Sequence, residues 1–139
     1  MAIPDLDEHG HLPPGLHRAT VEEVVARFCV GSEQRRRLER PLRLLVEVAV
    51  DAAALALYLN GSFVTDSASP ADIDAAIVLP DDFDTQGVCS RRLRDLHRVY
   101  GLDIERVAAH DTEERDYLLN VFFGFSREGV PRGLLEVAL

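Results

Sequence analysis

Two short apolar runs constrain this chain most: Leu55–Asn60, and Asp72–Leu79 with its Ile and Val content. Each is too short for a stable helix and is bounded by turn residues, Gly61-Ser62 after the first and Pro80 after the second, so both read as strands. Helical periodicity surrounds them. Thr20 and Glu23 form a capping-box pattern that opens a helix through about Val30, and Gly31 ends it. A second helix carries Leu38, Leu42, Leu45, Ala49 and Ala52 at the spacing of one buried face. Pro41 either kinks that stretch or marks its true start.

Beyond the strand pair, about Thr85 to Tyr100 reads as a helix with Cys89, Leu93, Leu96 and Tyr100 on one face, stopped by Gly101. Leu102 to Ala109 reads as a third strand. Asp111 and Glu114 form another capping box, opening a helix with Leu118, Val121 and Phe122 inward. A turn at Glu128-Gly129 precedes a last strand, Gly133 to Leu139. The pattern is α/β (α+β), a small mixed sheet flanked by helices in one domain spanning residues 1–139. Residues 1–19, with three prolines and two glycines, read as an ordered or loosely attached arm.

Composition narrows the function. All 15 basic residues are arginine, so a P-loop nucleotidase, which needs its Walker lysine, and Schiff-base chemistry are both excluded. A net charge of -9 argues against a general nucleic-acid coat and against a basic membrane-surface helix. Cys29 and Cys89 are too few for a disulfide framework or a four-cysteine zinc site. No basic-then-apolar leader and no apolar run of about 18 residues is visible, so the expectation is a cytoplasmic protein without a membrane span.

The chemistry-bearing segment is LALYLNGSFVTDSASPADIDAAIVLP. A strand ends in Gly61-Ser62, and Asp72-Ile73-Asp74 opens the next. Side chains at i and i+2 of a strand share a face, so both carboxylates project toward one point. No basic residue lies between them. A divalent cation resolves the repulsion, and magnesium is commonly held by one or two carboxylates plus substrate phosphates. Gly61 allows close backbone approach to a ligand, while Ser62 offers a hydroxyl and a helix N-terminal amide to a phosphate.

This arrangement resembles the signature of the DNA polymerase β-like nucleotidyltransferase superfamily, Gly-Ser followed after about ten residues by Asp-x-Asp. The opening IPDLDEHGHLPPGLHRAT and closing FFGFSREGVPRG look like a small bacterial group of such proteins. The resemblance implies that Gly61 and Ser62 cradle a nucleoside triphosphate and that Asp72 and Asp74 hold metal. It also implies a third carboxylate on a later strand, matched by Asp103 in Leu102-Asp103-Ile104, with Glu105 as the alternative. Asp103 would be both metal ligand and base for an acceptor hydroxyl. Two magnesium ions, or manganese, would serve transfer of an NMP group from an NTP to a hydroxyl of a protein, a small molecule or RNA, with RNA least favoured by charge. The other implied class is an inactive binding partner that keeps the fold, such as half of a toxin–antitoxin or defence pair encoded with its partner. Minimal members often carry an arginine soon after Gly-Ser, where this chain has Phe63, Val64 and Thr65.

Weaker signals remain. His9, His11 and His17 read as solvated loop histidines or as metal ligands. His97 reads as a packed histidine, and Arg35-Arg36-Arg37 as a solvated helix face. One of Arg91, Arg92, Arg94 and Arg98 could reach a phosphate. Phe122, Phe123 and Phe125 read as core with one exposed. A hydrolase triad around Ser62 fails, because Asn60 and Val64 stand where a nucleophile elbow needs glycine.

Overall fold

Local capping starts the helices where the sequence places them. In the computed structural model, which describes residues 3–122, 124–125 and 128–139, the Thr20 side chain accepts from the Glu23 amide and Glu23 answers to the Thr20 amide. This full capping box opens α1 (Val21–Phe28). Ser32 caps α2 (Glu33–Arg37), and α3 (Glu39–Asp51) follows without a side-chain cap. The expected second helix is therefore two. Pro41 sits in the first turn of α3, where its missing amide costs nothing, so it marks a start and not a kink.

The strands are β1 (Gly15–Ala19), β2 (Ala56–Asn60), β3 (Asp74–Leu79), β4 (Asp103–Ala108) and β5 (Gly133–Val137). They form one mixed sheet in the order β1-β5-β2-β3-β4. β2 is antiparallel to both β3 and β5; β3 and β4 run parallel, as do β1 and β5. The parallel β3/β4 pair is joined by α4 (Val88–Tyr100), whose C-terminus closes on Gly101 in the left-handed conformation. α5 (Thr112–Tyr117), capped by Asp111, runs into a π-helical turn over Leu118–Phe122.

Period-two alternation divides the sheet's residues between two faces. Leu57, Leu59, Ile77 and Leu135 face α1, α3 and α4 and join Phe28, Leu42, Leu45, Leu93 and Leu96 in the main core. Of the expected α3 stripe, Leu38, Leu42, Leu45 and Ala49 are buried and Ala52 is half-buried. The opposite face carries a smaller cluster, Ala56, Tyr58, Ala76, Val78, Val107 and Leu134, covered by Leu118 and flanked by Leu119. Val121, Phe122 and Phe123, expected inward or in the core, have side chains outside the described residues; Phe125 is exposed.

Residues 3–19 do more than an arm. They contribute the edge strand β1, bury Ile3 and Leu12, and pair with later segments through the His11–Thr65 bridge and the bonds Asp66 N to Gly10 O and Gly133 N to Leu12 O. Leu12 and Leu16 are separated by prolines and a glycine, so no local periodicity announces a strand; it forms because β5 supplies a partner.

Candidate functional site

The ends of four strands meet at one corner of the sheet. The register pairs Asn60 with Asp74, and Asp74 with Asp103, so these three side chains form a row on the face opposite the main core. Tyr58, Ala76 and Glu105 form the next row, and Ala56, Val78 and Val107 the third. The apolar third row and Tyr58 are buried with Leu118, whereas Asp103 and Glu105 are exposed and Asp74 is half-buried. The face therefore passes from a small core to a polar open end within one strand length.

Gly61 follows Asn60 with φ of +77°, and a side chain there would have to occupy the position of the Asp74 carboxylate. The turn and the acid are thus in direct apposition, and glycine is required twice over, by backbone conformation and by space. Ser62 is exposed, but it opens only a single 3-10 turn, Ser62–Val64, and not the α-helix the sequence suggests. One short turn aligns few peptide dipoles, so the phosphate-attracting power of Ser62 reduces to its hydroxyl and local amides.

Asp72 lies in a bend just before β3, half-buried. The chain joins the sheet edge immediately after it, where the Asp103 amide donates to the Ile73 carbonyl at 3.1 Å. Burial, and then the negative charge of Asp103, hold the Asp72 carboxyl above its ordinary range. Asp74 instead lies near a cation. Arg132, one residue before β5 and on the same face by strand parity, is half-buried; burial pulls its guanidinium below its ordinary range, and the charges of Asp74 and Glu128 partly offset this.

The structure therefore brings Asp72 toward Asp103, and Asp74 against Gly61 and near Arg132. Among the described residues no group of three or more His, Cys, Asp or Glu is gathered as a ready metal cage. The donor set still suits a hard cation. Asp72, half-buried, feels the negative charge of Asp103, a repulsion that a divalent ion with oxygen preference relieves.

The loop between the Gly-Ser turn and the aspartates is held from behind by α2. Arg35 is 6% exposed and is no part of a solvated face, unlike exposed Arg36 and Arg37. Its guanidinium donates to the carbonyls of Phe28 (3.0 Å), Phe63 (2.8 Å), Thr65 (2.7 Å) and Ser67 (2.6 Å). Gln34 donates to Pro70 O at 3.0 Å, just before Asp72. The planar five-donor guanidinium suits this multi-carbonyl task as no other side chain does. Asn60, 3% exposed, keeps a buried Oδ1 that accepts no hydrogen bond among the described residues, beside Asp74 in the register.

Over residues 4–138 the sequence matches the Family of unknown function (DUF6932). The chain belongs to the DUF6932 family. No curated protein and no solved structure matches this DUF6932 chain. No described helix is long and apolar enough to cross a membrane.

The other sequence candidates resolve individually. His17 bonds the Pro13 carbonyl at 2.7 Å, and the His9 and His11 rings stand 6.2 Å apart without forming a cluster with it. His97 is exposed, not packed, and its Nδ1 bonds Leu102 O at 2.8 Å across the end of α4. Arg92 pairs with Asp51 of α3 at 2.7 Å. Sequence reading missed Arg35, Asn60 and Arg132. The first lies inside a basic run that looks solvated. The last is distant in sequence and reaches the corner only because β5 pairs with β2.

Proposed function

We propose that this DUF6932 chain is a metal-dependent nucleotidyltransferase of the DNA polymerase β-like kind, acting at the corner formed by Gly61, Ser62, Asp72, Asp74 and Asp103. The observation that carries the reading is the apposition of the Gly61 turn to Asp74, with Asp74 in register with Asp103 on the adjacent parallel strand. Two independent sequence segments thereby bring a Gly-Ser turn and acidic donors to the same place.

Asp72, Asp74 and Asp103 would hold the magnesium, or manganese, which when bound neutralises phosphate charge. Ser62 presents its hydroxyl to a phosphate oxygen. Arg132, near Asp74, would supply the positive charge that Phe63, Val64 and Thr65 do not, exchanging the neighbourhood of Asp74 for a substrate phosphate. Asp103, exposed at the strand end, accepts the proton of the acceptor hydroxyl. The acceptor oxygen then bonds the α-phosphorus as the bond to pyrophosphate breaks, giving NMP-acceptor and pyrophosphate.

Calorimetric titration with each NTP in the presence of magnesium, together with transfer of labelled NMP to components of a cell lysate, tests the reading. Asp72→Asn with Asp74→Asn is expected to abolish both signals, and Arg132→Gln to weaken NTP binding roughly 10- to 100-fold, as loss of a charged hydrogen bond does. Absence of NTP binding by the unaltered chain overturns it. A second reading, a non-catalytic partner that keeps the fold, is favoured by one feature: Arg132 lies near Asp74, where its charge offsets that of a carboxylate the metal reading needs.

A further inference from the structure

A second cleft lies around the edge from the aspartate corner, between α4 and the outermost strand β4. It encloses about 470 Å³ and is lined by Arg94, His97, Arg98 and Arg106, with Asp103 its single carboxylate. In a chain of net charge -9 this is a local reversal of sign. Ser90, Arg94 and Arg98 follow one another at i, i+4 on α4 and so share a helix face. Arg106 projects from β4 toward it.

The cations are arranged, not scattered. Arg106 donates to Ser90 Oγ at 2.8 Å and to Ser90 O at 3.0 Å, which fixes its guanidinium against a buried serine. Arg94 approaches the same hydroxyl, at 3.5 Å. Two guanidinium groups thus converge on one small residue, and neither is in an ion pair with a described carboxylate. Burial and the charge of Arg94 both work against the charged form of Arg106. Arg98 has an exposed pairing with Asp95, at 3.2 Å, which water and salt weaken. Three guanidinium groups gathered in a cleft whose lining holds one carboxylate, the exposed Asp103, leave an excess of positive charge that an anion relieves, and paired guanidinium groups match phosphate oxygens in geometry.

We infer that the α4–β4 cleft is a phosphate-binding site, built by Arg94, Arg98 and Arg106, that holds the phosphate of an acceptor beside Asp103. This rests on the proposed nucleotidyl transfer in one respect only, the word acceptor; the anion site stands on its own geometry. It narrows the acceptor to a phosphorylated molecule, and the shared chemistry has two sources, a free nucleotide or the end of an RNA strand.

The test is binding without NTP or magnesium, by fluorescence anisotropy of a labelled RNA hexamer and by titration with unlabelled 5′-AMP, with adenosine as the neutral control. Binding of either phosphate-bearing probe, but not of adenosine, is expected, with steep weakening by salt. Arg94→Gln leaves both Arg106–Ser90 bonds in place and is expected to weaken binding at least 10-fold; adding Arg106→Gln abolishes it, while Arg36→Gln has no effect. Hexamer binding alone assigns the site to an RNA end, and 5′-AMP binding assigns it to a free nucleotide. Failure of both probes, or binding indifferent to Arg94→Gln, overturns the inference. Asp72→Asn with Asp74→Asn is expected to retain this binding, so failure of the transfer reading and failure of the anion site give different results.

Discussion

At the scale of single residues, Gly61 and Asp74 define each other. The left-handed φ of Gly61 and the Asp74 carboxylate above it leave no room for a methyl group. Gly61→Ala therefore meets backbone strain and a steric conflict together. An expected loss of about 2 kcal/mol or more should appear as a lowered urea midpoint. NTP binding should fall with it, because the turn can accommodate the methyl only by displacing Asp74. Gly129, with positive φ and open space around its Cβ position, is the control: alanine there pays the strain alone. These residue-scale features were partly legible. Gly-Ser and Asp-x-Asp are visible as letters, and the need for glycine is a general property of close approach. That Asp74 is the group it accommodates follows only from the register of β2 with β3.

At the scale of elements, α2 is a clamp. It is five residues long and could not persist alone in water. Its role comes from where Ser32 caps it, which aims Arg35 into the loop behind the Gly-Ser turn and Gln34 at the carbonyls before Asp72. One helix turn thereby holds both ends of the segment that carries the candidate site. Arg35→Ala is expected to destabilise the chain by about 3–5 kcal/mol, since it strands several buried carbonyls at once. Arg35→Lys should recover little, because an ammonium cannot span carbonyls on Phe28, Phe63, Thr65 and Ser67. Thermal unfolding of the two variants is the measurement. The helices themselves were legible from caps and stripes, though boundaries moved by a few residues: a new helix starts just before Pro41, α4 begins at Val88 and β3 at Asp74. The burial of Arg35 was not legible. A basic run reads as solvated unless the loop it will meet is known.

At the scale of the whole molecule, the first and last strands lie side by side, and the N-terminal segment braces the Gly-Ser loop through Gly10, His11, Thr65 and Asp66. Closing the chain's ends together ties the site to global folding. The two cysteines report on this. Cys29 is buried at the end of α1, and burial followed by the charge of Glu39 pushes its thiol up to about 11, while Cys89 is partly exposed. Native protein at pH 8 is expected to react with a thiol reagent at Cys89 alone. Cys29 should become reactive only along the denaturant curve measured by circular dichroism, because its exposure requires opening of the main core.

By itself the sequence determined most of the helices and four of the five strands, the α+β class, and the residue types available for phosphate and metal chemistry, since capping, periodicity and turn chemistry act over a few residues; β1 formed only through its pairing with β5. It also determined, through the absence of lysine, that any fixed cation outside the histidines must be arginine. The tertiary structure alone decided which arginines matter. Arg35 is buried against the loop after Gly61, Arg132 stands by Asp74, and Arg106 joins Arg94 at Ser90, each across a sequence gap that no local pattern bridges. Strand order and register set those distances, and a charge acquires its role from what lies within a few ångströms of it in space.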